Sequence, residues 1–443
     1  MFRRLNFASV LRSLAMAANP EAYGPLLRFL PSSGKARAAR LDLPGVPGES
    51  PAAMPAPADV LPTGRDLRLD LFRGLALWLI FLDHIPDNIV NLFTLRNYGF
   101  SDATEIFIFI SGYTAAFVYG RAMRERGFIV SSARILRRAW QIYVAHIFLF
   151  TIFMAEIAYV AATFSNPLYA EEMNILGFLK QPDVTIFQAL LLKFKPVNMD
   201  VLPLYIVLLL LFPPVLRVLL WQPAYALIGA AAVYLLALHF NINLPAYPNG
   251  VWLFNPFAWQ LLFIFGAWCA VGGAQRLGGL LRSNLVFGLA VAYLLFAFFI
   301  TLTWHFESLQ VFVPNWLGDL MYPIDKTNLD VLRFAHFLAL AAITVRFVAR
   351  DWSGLKWPIL QPAIRCGQHS LEIFCLGVFL AFAGQFVISQ WSGGPLVQTV
   401  ISILGILIMI AAATLISWYK AMEGRGQQQR AKASPGKLAG GGT

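Results

Sequence analysis

Residues 70–86 read DLFRGLALWLIFLDHIP. The run GLALWLIFL is uninterrupted apolar sequence between Arg73 and Asp83. Ionisable groups at the ends of such a run are costly in lipid and are functional candidates by default. At 100° per residue, His84 comes to within about 20° of Arg73, three turns further along, and Asp70 lies about 40° from His84. One helix stripe therefore carries a cation near its start and an imidazole roughly 16 Å deeper. Pro86 is expected to stop the helix just past that point. Asp83 sits off the stripe but beside the histidine in sequence.

The composition extends this membrane reading to the whole chain. Of 443 residues, 58% are hydrophobic and 13% charged, whereas a soluble domain is nearer a quarter charged. The 37 Phe, 12 Trp and 14 Tyr suit a protein with two membrane interfaces. The net charge of +11 is read as basic cytoplasmic loops and tails, not as a nucleic-acid surface. Cys269, Cys366 and Cys375 form no CxxC pair, so neither a disulfide framework nor a metal site is expected.

Ten apolar segments have the length of membrane spans: about 69–86, 103–121, 140–162, 201–220, 223–240, 253–273, 284–303, 332–349, 369–390 and 397–418,. Charge orients them. The segment 121–138 holds Arg121, Arg124, Arg126, Arg134, Arg137 and Arg138 against Glu125 alone, which makes it a cytoplasmic loop. Alternation puts 274–283, 350–368 and the basic tail on the same side. The opposite loops are acidic: 304–331 has Glu307, Asp319, Asp325 and Asp330 against Lys326. The fold expected is thus an all-α bundle of about ten transmembrane spans with both termini cytoplasmic. Residues 1–66 read as a largely disordered extension, whose start has an amphipathic pattern. Residues 67–420 form the membrane domain, and 421–443 a disordered basic tail.

Further chemistry lies in three places. In YGFSDATEIFIFISGY, Asp102, Glu105, Phe109 and Gly112 share a helix face,. Two readings stand there: the carboxylates line a cavity, or Ser101 or Asp102 caps the helix. In KTNLDVLRFAHFLAL, Asp330, Arg333 and His336 follow at three-residue steps, and in RCGQHSLEIFCLG, His369 and Glu372 lie one turn apart. Each of these sets either orients a substrate or forms a plain interhelical hydrogen-bond pair. His84 has a clear chemical use, since imidazole titrates near neutrality and accepts a proton from a hydroxyl. The outer segments are rich in Trp, Tyr and Asn, which suits either a sugar or a membrane interface.

The pattern Asp70-x-x-Arg73-Gly74-Leu75-Ala76 followed by His84 resembles the opening helix of the acyltransferase 3 family, in which the arginine and histidine have the same separation. Together, RDLRLDLFRGLALWLIFLDHIP (65–86), YGFSDATEIFIFISGY (98–113), NLDVLRFAHFLAL (328–340) and CGQHSLEIFCLG (366–377) resemble the OpgC family. The resemblance covers about residues 65–420 and implies an inner-membrane O-acyltransferase. It would move an acyl group, succinyl by the family's named activity, from cytoplasmic acyl-CoA to hydroxyls of a periplasmic glucan. His84 would be the general base or a transient acyl carrier, with Asp83 beside it. Arg73 would attract the phosphates or carboxylate of the donor, and Asp70 would bind substrate. Asp102, Glu105, Arg333 and His336 would orient His84 or bind substrate. The expected partners are acyl-CoA (succinyl-CoA), used as co-substrate with no permanently bound cofactor and no metal, the glucan and the lipid bilayer, and no nucleic acid. Oligomeric state is not fixed by these residues. The alternative is a proton-coupled transporter of a polar or glycan-related solute, since intramembrane carboxylates and histidines also build proton relays. A transporter of that type is expected to repeat itself in two halves, and 69–240 shows no repeat in 253–418.

Overall fold

The computed structural model describes residues 65–86, 88–163, 174–390 and 393–433. The expectations for residues 1–64 and 434–443 lie outside them. The described residues are 81% helix, with no strand among them. The principal helices are α1 (Leu67–Asp83), α2 (Ala103–Thr163), α3 (Val201–Trp221), α4 (Pro223–His239), α5 (Pro256–Trp268), α6 (Asn284–His305), α7 (Val331–Phe347), α8 (Gln361–Gln368), α9 (Ser370–Gln390) and α10 (Pro395–Ala433).

Among the described residues, six stretches are long and apolar enough to cross a membrane: Ala103–Val160, Val201–Trp221, Pro256–Arg276, Asn284–His305, Ser370–Gln390 and Pro395–Glu423. Two of the ten expected spans, 103–121 and 140–162, fall inside α2. The segments 69–86, 223–240 and 332–349 correspond to α1, α4 and α7, which have 17 residues each. That is short of the ~20 residues that cross a bilayer core upright. The six long helices fit a multi-pass membrane protein.

The arginine-rich segment 121–138 differs from expectation. It is not an open loop but helix on both sides of one break, at Gly127 (φ 83°, ψ 174°). Its Arg, Glu, Ala, Leu and Met residues are good helix formers, and Gly127 alone supplies the positive φ that interrupts them. Elsewhere Pro213 and Pro214 lie inside α3 without ending it. The last helix continues to Ala433, past the boundary expected at 420.

Two close crossings set the position of α1 and α2. A Cβ on Gly74 of α1 would overlap the Ala363 carbonyl of α8, and one on Gly367 would overlap the Asp70 carbonyl. Likewise, a Cβ on Gly112 of α2 would overlap the Phe263 carbonyl of α5, and one on Gly266 the Phe109 carbonyl. Membrane helices associate through such small residues because backbone contact replaces the missing hydrophobic drive. Phe81, Trp259 and Phe263 are among the largest fully buried side chains of the core.

Candidate functional site

α1 starts on Asp66, whose carboxylate accepts from the Arg68 amide, and ends with His84 as its C-cap. His84 N–H still donates to the Ile80 carbonyl at 3.0 Å, so the imidazole is carried on the last ordered turn before Pro86. Asn198 Nδ2 donates to the His84 carbonyl at 3.2 Å, which holds that turn from the segment before α3. The buried Nδ1 of His84 has no hydrogen-bond partner. Asp83 does not orient the ring: its carboxylate accepts from Thr94 Oγ1 at 2.6 Å.

The N-terminus of α2 supplies the second part. Asp102 accepts from the Thr104 amide at 2.8 Å through Oδ1, while Glu105 accepts from the Asp102 amide at 2.9 Å. This reciprocal arrangement is a capping box. The other oxygens of both carboxylates face cations. Asp102 Oδ2 accepts from Lys326 Nζ at 2.6 Å and Arg333 Nη2 at 3.1 Å. Glu105 Oε1 accepts from Arg333 Nε at 2.9 Å. Asp102 is thus the cap that one sequence reading expected, and both carboxylates, expected by the other reading to line a cavity, pair with cations instead. Glu105 has no exposed surface, and a buried charge is retained only when paired and hydrogen-bonded in this way.

His336, one turn beyond Arg333 on α7, joins this group through Ser101. Its Nδ1 lies 2.7 Å from Ser101 Oγ and 3.3 Å from the Ser101 amide. An amide can only donate, so Nδ1 accepts and the neutral ring carries its proton on Nε2. The structure thus brings Asp102, Glu105, Arg333 and His336 into one connected network. Lys326, Asp102 and Arg96 are the charges that act on His84 across the intervening space, and the same three act on Asp83. Nearby, Lys195 lies 3.8 Å from Asp200 and over the Trp252 ring at 3.9 Å. Burial lowers the Lys195 pKa to about 8, with Asp200 opposing the shift.

Arg73 and Asp70 stand apart from this network. Arg73 Nη2 donates to Thr114 Oγ1 at 2.5 Å and to the Ile110 carbonyl at 3.3 Å, while its buried Nε has no partner. It lines a cavity of about 120 Å³ with Thr114, Arg138, Tyr205 and Ser370. Asp70 is engaged by Arg65 through two bonds, of 2.5 and 3.1 Å. His369 is a closed polar contact. Lys420 donates to its Nδ1 at 3.2 Å, and its Nε2 lies 2.8 Å from Ser417 Oγ. Ser417 in turn donates to the Ala413 carbonyl at 2.8 Å.

Sequence reading missed Lys326, Asn198 and Arg96. Lys326 left one signal, as the lone cation in an acidic outer segment. Asn198 takes a positive φ of 69°, but its contact with His84 spans 114 positions and leaves no local trace.

The fold and these two polar regions define a multi-pass helical membrane protein with buried ionisable groups toward both ends of its first helix. The chain belongs to the OpgC protein family, whose model matches residues 65–421. Searches of curated proteins and of solved structures gave no match.

Proposed function

We propose that this protein is an inner-membrane O-acyltransferase that moves a succinyl group from acyl-CoA to hydroxyls of a periplasmic glucan. Membership of the OpgC family supports acyltransferase chemistry in general. The observation that carries the reading is His84 itself: an imidazole at the end of an apolar helix, with its buried Nδ1 unpartnered, next to a charged network. His369 has a partner on both nitrogens and His336 on its Nδ1, and although buried His146 also lacks partners, only His84 stands at the end of a helix inside the family match, beside Asp83. A ring left with an open nitrogen is available to a substrate proton.

The separation of Arg73 from His84, roughly 16 Å along the helix, favours a donor with a long arm. Its anionic end would rest near Arg73 and Arg138, and its thioester carbonyl would reach His84. The acceptor hydroxyl oxygen would add to that carbonyl while His84 takes the hydroxyl proton. Collapse of the adduct would expel the thiolate, which recovers the proton from His84. If His84 instead carries the acyl group transiently, the same proton count applies in two steps. Lys326 and Arg333 supply positive potential near the developing oxyanion, the usual electrostatic contribution in acyl transfer. Asp102 and Glu105 would act by holding those cations. Asp70 would act indirectly, through Arg65.

Mass spectrometry of periplasmic glucans from a strain lacking the protein tests acyl group and acceptor together. Loss of a succinyl ester from the glucans is the expected result. Unchanged glucan esterification contradicts the assignment.

A further inference from the structure

Asp83 forms one wall of a cleft of about 690 Å³ that no motif in the sequence pointed to. The cleft runs between the end of α1, the segment 88–97 and the start of α10. Its polar lining is Asp83, Asn88, Asn91, Arg96, Asn97 and Gln398, with Ile89 and Leu92 as apolar wall.

Some of these groups hold the cleft in shape. Asn88 donates to Ser402 Oγ at 2.9 Å and accepts from the Val90 amide at 3.1 Å. Gln398 accepts from the Ile89 amide and donates to the Gly393 carbonyl, each at 2.6 Å. These bonds tie the 3-10 turn Ile89–Phe93 to α10. Asn97 donates to the Asn91 carbonyl at 2.7 Å and to its side-chain oxygen at 3.1 Å, which braces the opposite rim. Arg96 is exposed and makes no hydrogen bond or ion pair among the described residues. The walls are therefore tied together by hydrogen bonds, and one cationic donor on them is uncommitted.

The lining also selects a class of ligand. Its one carboxylate and one guanidinium cancel, so an anion meets Asp83 and a cation meets Arg96. Among the described residues, Asn91 Nδ2 and Asn97 Oδ1 remain as a donor and an acceptor, which suits hydroxyl groups that do both. Ile89 and Leu92, 41% and 46% exposed, present an apolar surface suited to the C–H face of a ring. The volume lies within the range of small-molecule sites, about 300–1,000 Å³.

We infer that this cleft is the acceptor subsite and that it binds an uncharged, hydroxyl-rich sugar segment against Asp83, the residue before His84. The inference rests on the acyl-transfer reading of His84. It goes beyond that reading by assigning acceptor recognition to the segment 88–97, with Arg96 and Asn97 as specificity-determining residues.

The test is equilibrium binding by the full chain in phosphatidylcholine nanodiscs, titrated with glucose hexasaccharides of differing linkage. At least one hexasaccharide should bind the wild type. Arg96→Ala and Asn97→Ala should each weaken it about tenfold, the effect of one lost hydrogen bond. Arg124→Ala, exposed and outside the cleft lining, should bind it like the wild type. Because binding is read without turnover, the cleft and the acyl-transfer reading can fail separately. Failure of every hexasaccharide to bind overturns the inference, as does binding within about twofold of wild type in both cleft variants. Binding only to nanodiscs that contain a glucosyl lipid also overturns it, since the cleft would then serve a lipid headgroup.

Discussion

Arg333 holds two carboxylates at once, through Nε to Glu105 and Nη2 to Asp102, and it is itself 8% exposed. Removing it leaves both carboxylates without their shared cation, and breaking a buried pair typically costs about 3–5 kcal/mol. Arg333→Ala should therefore lower thermal stability in detergent well beyond the effect of a surface substitution. Restoring neutrality with Glu105→Gln in the same chain should recover part of the loss. If Arg333→Ala melts with the wild type, the network contributes nothing to folding. Arg73 is a different case, because its Nε is buried without a partner and it faces a cavity. Arg73→Ala should raise the KM for the acyl donor more than that for the acceptor. Arg73→Lys should rescue only in part, since an ammonium cannot reproduce a planar fork. An unchanged donor KM would leave Arg73 as a helix-packing residue bound to Thr114 and Ile110.

At the level of elements, the contacts of Gly74 with Ala363 and of Gly367 with Asp70 act as a single feature. Each added Cβ must push backbone away, and overpacking of this kind costs typically about 1–3 kcal/mol. Gly74→Ala and Gly367→Ala should each destabilise the protein in thermal unfolding. The double variant should lose less than the sum, because one displacement relieves both overlaps. Additive losses would mean that the two glycines pack independently. Much of the helical order was legible from residues 69–86 onward, since apolar runs of span length have one solution in lipid. The arginine segment was misread as a loop because its charge was weighed and its helix propensity was not. Asp102 and Glu105 were legible as a pair at helix spacing. Their partners Lys326 and Arg333 lie more than 200 positions away, and local spacing says nothing about such contacts. The cleft beside Asp83 was invisible for the same reason: its walls come from segments about 300 residues apart.

For the molecule as a whole, the charge asymmetry of the connecting segments still predicts orientation. Reporter fusions after Arg126 and after Arg425 should read as cytoplasmic, and one near Asn315 as periplasmic. A cytoplasmic Asn315 would remove the ten-span arrangement and place the Asp102–Lys326–Arg333 network on the wrong side for a periplasmic acceptor. Transfer from a cytoplasmic donor to a periplasmic acceptor requires the two to meet at His84 from opposite faces. Purified protein in sealed proteoliposomes, supplied with labelled succinyl-CoA on one face and glucan on the other, tests this directly. The wild type should esterify the glucan, and His84→Gln, which keeps size and hydrogen bonding but not basicity, should be slower by about 10²–10⁴-fold at equal incorporation. Transfer by His84→Gln at most of the wild-type rate would contradict the account, as would the absence of any labelled ester with the wild type.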